Sequence, residues 1–559
     1  MSGYYWYLPA YLIYQDPVHM EFKDEILKKY IPTWDLYQAF PYGEGYVMKY
    51  SLGLALQYLP FFAIGHIWAL GSDYPADGFS LPYQVAIHWG SLLVAFLGLW
   101  VMRLNLRRFF SDTISAITLL GIGIGTNYFN YASVDAALSH NYLFTLYSLL
   151  IYATIRWHEK PGRGLSLAIG GLVGLAALTR PTDLLCVLIP LLWGWDGGKT
   201  GFPCLESNGK NFALAALAAA LVGSLQLFYW KSVSGEWVVY SYQDQGFNFL
   251  KPHLADVFLS YKKGWLVYTP IMVLALLGIP LLLRKKGLFW LTLIFLVLNF
   301  WIVSSWEVWW YGGSFGQRAM VQSYALLAFP MAAFSEWAWK KGWSRMLFLT
   351  FALFCIALNL FQTWQARGEG GFDPENMNKA YYWHIFFNPR VTEEDHLILD
   401  SDERPFRKKA EVETLFFRNF ESPGPDSLHI SRDTAFRGSF PAKIEPLTNS
   451  VIYSIPFSSD MRGKRIGLRL SGRFFGYKKE WDIWKMGQLH LAFALEGTTL
   501  RDKLVRVPRL MKSRHWVEIG ADFHFPEEPF DEIRLYFANP SEVKTVYIDD
   551  LKLEVFAGK

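Results

Sequence analysis

The chain has 559 residues, of which 52% are hydrophobic, 18% aromatic and 18% charged, and its formal net charge is +4. A soluble domain carries about 25% charged residues, and here the deficit is uneven: about 43 charged residues fall in 1–364 and about 59 in 365–559. This excludes a single soluble enzyme, a disordered chain and a disulfide-rich secreted scaffold. No basic tract or nucleic-acid motif accompanies the small net charge, so no nucleic-acid partner is expected. Cys186, Cys204 and Cys355 lie far apart and fit neither a disulfide framework nor metal-thiolate spacing.

In chain order, residues 1–81 are rich in aromatic and polar side chains and read as an extracytoplasmic loop. Within them, 50–70 is apolar enough for a helix. Its Gly53, Pro60, His66 and flanking aromatics suit a helix at the outer interface. Spanning a bilayer takes about 20 apolar residues. Ten later segments qualify, some of them short: 82–102, 113–131, 138–156, 165–179, 182–195, 212–230, 265–283, 287–305, 319–338 and 346–363. Basic residues follow every second one: Arg103, Arg107 and Arg108; Arg156, Lys160 and Arg163; Lys199 and Lys210; Arg284, Lys285 and Lys286; Lys340, Lys341 and Arg345. Those loops are therefore cytoplasmic, and the intervening loops and the tail face outward. Tryptophans at span ends, such as Trp193, Trp306 and Trp339, read as an interfacial belt. Because 1–81 lies outside without a preceding span, the expectation is a further helix upstream of Met1.

Residues 365–410 read as a polar linker with turn residues at Gly368, Gly370, Gly371 and Pro374. From 411 to 559 short alternating runs, such as Ile466-Gly467-Leu468-Arg469-Leu470 and Ile533-Arg534-Leu535-Tyr536-Phe537, are separated by turn residues. This predicts an all-β sandwich or jelly roll. The fold class expected is thus an α-helical polytopic membrane domain over 82–364 followed by a β-sandwich.

The apolar spans are nearly free of ionisable groups. The candidates gather instead at the outward ends: Lys49, Asp135, His140, Arg180, Asp183, Lys262, Lys263, Glu307 and Arg318. A transporter more often places such groups at the bilayer midplane, whereas an enzyme acting on a lipid-linked phosphate needs them at headgroup level. Each has a plainer reading. Asp135 suits the N-cap of the helix near 138, His140 a packing role, and Arg180 a snorkelling position. Lys262 and Lys263 suit headgroup contact. Arg318, ending the loop Trp309-Trp310-Tyr311-Gly312-Gly313-Ser314-Phe315-Gly316-Gln317-Arg318, fits bidentate phosphate binding better.

These residues, in this order, resemble the GT-C glycosyltransferases that use polyprenyl-phosphate sugars. The nearest in pattern are the protein O-mannosyltransferases and the aminoarabinose transferase of lipid A. Gly3-Tyr4-Tyr5-Trp6-Tyr7-Leu8-Pro9 looks like the continuation of that family's first-loop motif, whose acidic residue would fall at or just before Met1. Lys49-Tyr50-Ser51-Leu52-Gly53 resembles the element whose Lys meets the lipid phosphate, without its prolines. Asp135 with Leu138 matches the second acidic motif. Arg180-Pro181 and the segment from Tyr261 through Lys263 to Pro270 look like further elements.

The resemblance implies transfer of a monosaccharide from a polyprenyl phosphate to a protein, lipid or glycan acceptor at the outer face of a bacterial inner membrane. Lys49, Arg180, Lys263 and Arg318 would hold the phosphate, and Tyr4 and Tyr5 would line the sugar pocket. His140 would orient the acceptor or the phosphate. Asp135 would support the upstream base or bind a divalent metal, with no other cofactor indicated. The alternatives are a transporter or flippase of a lipid-linked substrate and a non-catalytic cell-envelope assembly factor.

Overall fold

The computed structural model describes residues 2–30, 38–197, 203–243, 245–367, 370–392, 394–401, 406, 409–421, 430–431, 440–463, 465–477 and 485–557. Met1, Lys199, Gly368 and the side chain of Cys204 lie outside the described residues. The chain divides into two compact units, Met1–Trp364 and Gln365–Lys559.

The principal helices of the first unit are α1 (Gly53–Leu70), α2 (Leu81–Leu106), α3 (Asp112–Gly125), α4 (Ser139–Glu159), α5 (Arg163–Thr179), α6 (Pro203–Ser234), α7 (Lys286–Ser305), α8 (Tyr324–Trp339) and α9 (Gly342–Gln365). Among the described residues, five helical segments are long and apolar enough to cross a membrane: Gly53–Leu70, Leu81–Leu106, Gly209–Ser234, Pro280–Ser305 and Gly342–Gln365. The unit is a multi-pass membrane domain.

Some segments expected as single spans are broken. Residues 265–283 form Trp265–Tyr268, Met272–Gly278 and a 3-10 turn at Pro280–Lys285. Pro270 and Pro280 interrupt them, because proline supplies no backbone N–H. Residues 182–195 divide into a 3-10 stretch, Pro181–Val187, and a short helix, Leu188–Leu192. By contrast α4 is an unbroken helix of 21 residues, yet it carries His140, Asn141 and Thr145. Most of its side chains are buried. A helix enclosed by neighbours on all sides meets protein rather than lipid and can carry polar groups that bond internally. Asn141 Nδ2, for example, donates to Ser91 O at 2.8 Å. Between Phe212 and Trp230 the exposed side chains of α6, including Leu217, Leu221 and Phe228, are apolar, as a lipid-facing helix requires.

Helix α1 packs lengthwise on α2 in the opposite direction. A Cβ on Gly90 would strike the Phe61 ring, and one on Gly65 would meet Tyr83 at 2.8 Å. Its start is fixed by Gly53, which lies against the Leu178–Thr179 backbone with no room for a Cβ. A hairpin precedes it, β1 (Ala39–Tyr42) with β2 (Gly45–Met48), antiparallel with Ala39 opposite Met48.

The second unit is a sandwich. Its strands are β3 (Ala410–Arg418), β4 (Ala442–Ile444), β5 (Thr448–Asn449), β6 (Tyr453–Pro456), β7 (Arg465–Phe475), β8 (Gln488–Leu495), β9 (Thr498–Arg506), β10 (Val517–His524), β11 (Glu532–Asn539) and β12 (Val546–Ala557). One sheet has the order β10-β7-β12-β3, with β4 also on β12; the other has β5-β11-β8-β9, with β6 also on β11. Leu468 and Leu470 from one sheet share a buried cluster with Leu491 and Ile533 from the other, the packing expected of two apolar faces about 10 Å apart.

The 365–410 stretch is not a mere linker. Buried Leu397 belongs to the sandwich core. The fully buried carboxylate of Asp400 pairs with Arg506 at 2.7 Å and Arg509 at 3.1 Å. A buried charge needs such partners, so this stretch is anchored in the unit.

Candidate active site

A cavity of about 550 Å³ opens in the first unit. It is walled by chain segments remote in sequence: the N-terminal helix, the end of the β1–β2 hairpin, the start of α4, the turn after α5, and the loops near 240–247 and 306–313. Of the residues singled out from sequence, Tyr4, Lys49, His140, Arg180 and Arg318 line it together.

Lys49 directly follows β2. Backbone bonds fix its place: its N–H donates to Gln38 O at 2.7 Å, and Ser241 Oγ donates to its carbonyl at 2.8 Å. Its ammonium lies 5.9 Å from the centre of the Tyr242 ring. Arg180 ends α5. Its Nη2 donates to Tyr311 Oη at 3.3 Å, and its Nε lies 3.8 Å from Asp183 Oδ2. Asp183 is 2% exposed, and its Oδ1 accepts from Tyr147 Oη at 2.9 Å. Arg180 Nη1 and Arg318 Nε are buried and have no partner among the described residues. The same holds for His140 Nδ1, whose ring meets Tyr131 edge-on at 5.5 Å. Buried polar groups in folded proteins are nearly always bonded, so this concentration of unmet polar atoms marks a place for a ligand or water.

Tyr4 stacks on Tyr50 with ring centres 4.6 Å apart, and its hydroxyl lies 3.4 Å from Ser139 Oγ. Tyr50 and Trp306 each meet Tyr242 edge-on, at 6.1 and 5.4 Å. The cavity thus joins a cationic part to an aromatic part. Among the described lining residues there is no Asp or Glu, so the lining as a whole favours an anion.

Three residues expected in the site are elsewhere. Tyr5 is 3% exposed, and its hydroxyl donates to Gly78 O inside an aromatic core with Phe62 and Phe79. Adjacent helical residues point in different directions, so Tyr4 and Tyr5 do not both face the cavity. Lys263 is wholly buried and donates to Ser314 O, pinning the glycine-rich loop from behind. Asp135 is exposed, and its Oδ2 accepts from Asn130 Nδ2 at 2.8 Å. It does not cap α4, whose N-cap position is Leu138 with no side-chain cap bond. Among the described residues no three His, Cys, Asp or Glu side chains gather to hold a metal.

Sequence reasoning missed Gln38, Tyr50, Tyr242 and Trp306 as lining groups, and Tyr147 behind Asp183. Tyr50 had a signal, standing next to Lys49. Gln38 and Tyr242 had none.

No family model and no curated protein matches the chain. Solved structures do match. ArnT from Cupriavidus metallidurans in the apo state aligns with 65% of this chain and 62% of its own, at 12% identity and a TM-score of 0.39. The arabinosyltransferase EmbB from Mycobacterium smegmatis aligns with 83% of this chain and 57% of its own, at 11% identity and a TM-score of 0.25. The CBM22-1 xylan-binding domain of Paenibacillus barcinonensis Xyn10C aligns over 27% of this chain and 99% of its own, at 13% identity and a TM-score of 0.20. The chain therefore covers 62% of ArnT and 57% of EmbB, less than two thirds of either.

Proposed function

We propose that this protein is a membrane glycosyltransferase that moves a monosaccharide from a polyprenyl phosphate to an acceptor at the outer face of a bacterial inner membrane, with the C-terminal unit exported. One observation carries the reading: Arg180 Nη1 and Arg318 Nε stand buried, without a partner among the described residues, at a cavity that Lys49 also lines. Leaving a buried donor unmet costs about 1–3 kcal/mol, more when charged. A phosphate supplies oxygens to both guanidiniums in the planar arrangement they favour.

The chemistry follows from the leaving group. The acceptor hydroxyl oxygen attacks the anomeric carbon. The bond from that carbon to the phosphate oxygen breaks, its electron pair leaving with the phosphate, and the configuration inverts. Cations facing the phosphate stabilise the charge that develops there, so no strong acid is needed to expel it. The acceptor proton goes to a base. His140 is the lining side chain suited to take it, having a ring nitrogen without a partner among the described residues. The rings of Tyr4, Tyr50 and Tyr242 offer apolar faces to the sugar. The test is transfer of radiolabelled sugar from an undecaprenyl-phosphate donor by the full chain in lipid discs. Arg180→Ala and Arg318→Ala are each expected to lower transfer by about 10²-fold or more. Undiminished transfer by both variants would refute the assignment.

A further inference from the structure

Gln38 is 1% exposed, lines the cavity, and neither its amide nitrogen nor its amide oxygen has a hydrogen-bond partner among the described residues. An amide buried in this way is costly, because both its donor and its acceptor have left water without compensation. Packing offers no reason for an amide here, since a methionine or leucine would fill the same space without that cost.

Its position says what the amide is for. In the β1–β2 hairpin Ala39 pairs with Met48, and the bond from Lys49 N–H to Gln38 O carries the pairing one step further. Gln38 and Lys49 are therefore directly opposed. Opposed side chains on an antiparallel pair share a face, with Cβ atoms about 5 Å apart. Both face the cavity. A phosphate held by Lys49 thus has the Gln38 amide beside the group it carries. Gly3 closes this side: a Cβ there would strike the Tyr50 ring and come within 3.1 Å of Gln38 Cγ. The amide is wedged against a residue with no side chain, next to the stacked Tyr4–Tyr50 pair.

We propose that Gln38 is a specificity-determining residue that reads the hydroxyls of the donor sugar, its N–H donating to one sugar oxygen and its carbonyl accepting from a neighbouring hydroxyl. This rests on the phosphate reading above and adds the substrate class: a monosaccharide with two adjacent hydrogen-bonding groups close to the anomeric carbon. A site built to bond a hydroxyl rejects the analogue lacking it far more strongly than an apolar pocket does.

The test compares the full chain with Gln38→Met and Gln38→Asn. Three measurements are made: thermal midpoint, binding of sugar-free undecaprenyl phosphate, and transfer from undecaprenyl-phosphate sugars with and without single hydroxyls. The expected result has three parts. Gln38→Met melts at or above the wild-type temperature and binds the sugar-free lipid unchanged. It loses about tenfold or more in kcat/KM for the full sugar, and with it the discrimination against the deoxy sugar. Gln38→Asn recovers part of the loss. A lower melting temperature in Gln38→Met, with transfer lost in proportion, makes Gln38 structural and overturns the proposal. So does a loss confined to the KM of the acceptor. Sugar-free lipid binding that does not depend on Arg180 and Arg318 sinks the phosphate reading itself. Binding that does depend on them, with undiminished sugar discrimination in Gln38→Met, sinks only the role of Gln38.

Discussion

Lys49 and Lys263 look equivalent along the chain, each a lysine within two residues of a tyrosine in an outward segment. Folding gives them different work. Lys49 presents its ammonium to the cavity, while Lys263 is sealed behind the glycine-rich loop on the carbonyl of Ser314. Lys263→Ala should therefore cost stability, about 1–3 kcal/mol from the unmet carbonyl, read as a lower melting temperature. Lys49→Ala should weaken binding of undecaprenyl phosphate with the melting temperature unchanged. The reverse pattern would exchange their roles. Asp183 raises a subtler case. Its carboxylate takes the Tyr147 hydroxyl and faces Arg180 from below, outside the cavity lining. Asp183→Asn keeps an acceptor for Tyr147 but removes the charge that orients the guanidinium. Contacting charges couple by about 0.5–3 kcal/mol, so donor affinity should fall about fivefold, while Arg180→Ala and the double variant should be nearly alike. Additive losses in the pair would show that Asp183 acts independently of Arg180.

At the scale of elements, the bundle is set by close backbone approaches that apolar periodicity does not announce. Gly278 has no room for a Cβ, which would collide with the carbonyl oxygen of Pro330 inside α8. Gly278→Ala must push the two segments apart, and overpacking of this kind costs about 1–3 kcal/mol. Thermal unfolding in detergent should record that loss, whereas Gly171→Ala, where a Cβ meets open space, should be neutral or mildly stabilising. The elements most legible in the chain were those facing lipid, such as α2 and α6, because each residue there answers to the same apolar surroundings. Helix α4 was legible in extent but not in role: its His140, Asn141 and Tyr142 look misplaced in a span until neighbouring helices are seen to enclose them. The breaks at Pro270 and Pro280, and the division of 182–195 into a 3-10 stretch and a short helix, were missed because hydropathy averages over the residues that interrupt a helix.

At the scale of the whole molecule, the charge contrast at residue 364 marks a real division. The sandwich core draws its members from 397–555 alone. A fragment spanning 365–559 should therefore fold by itself, with a single cooperative transition and a β-rich circular dichroism spectrum. Within it Asp549 is completely buried, and burial pushes its carboxyl up to about 6, against the opposing hydrogen bond from the Asp550 N–H. An ordinary aspartate titrates near 3.9 when the chain is unfolded. Between about pH 4 and 6 the folded state then holds the proton more tightly, so stability should fall as pH rises through this window and level off above it. Asp549→Asn should flatten that slope in melting temperatures taken from pH 4 to 7; an unchanged slope would assign it to another group.

The amino-acid sequence by itself determined the two-part plan, the membrane character of the first part and the strand-rich second part, and it singled out Lys49, Arg180 and Arg318, which line the cavity, along with Lys263, which does not. These properties are local: apolar runs, basic loops and alternation act through each residue's own solvent. Only the tertiary structure decided which of the outward polar residues share a cavity. That depends on approaches between segments up to about 300 residues apart in the chain, such as Tyr4 to Arg318, which line one cavity. It also depends on which way each side chain points once packed. For this reason Tyr4 and Tyr5 part company, Asp135 turns away, and Gln38, unremarkable along the chain, comes to lie opposite Lys49 with its amide bare.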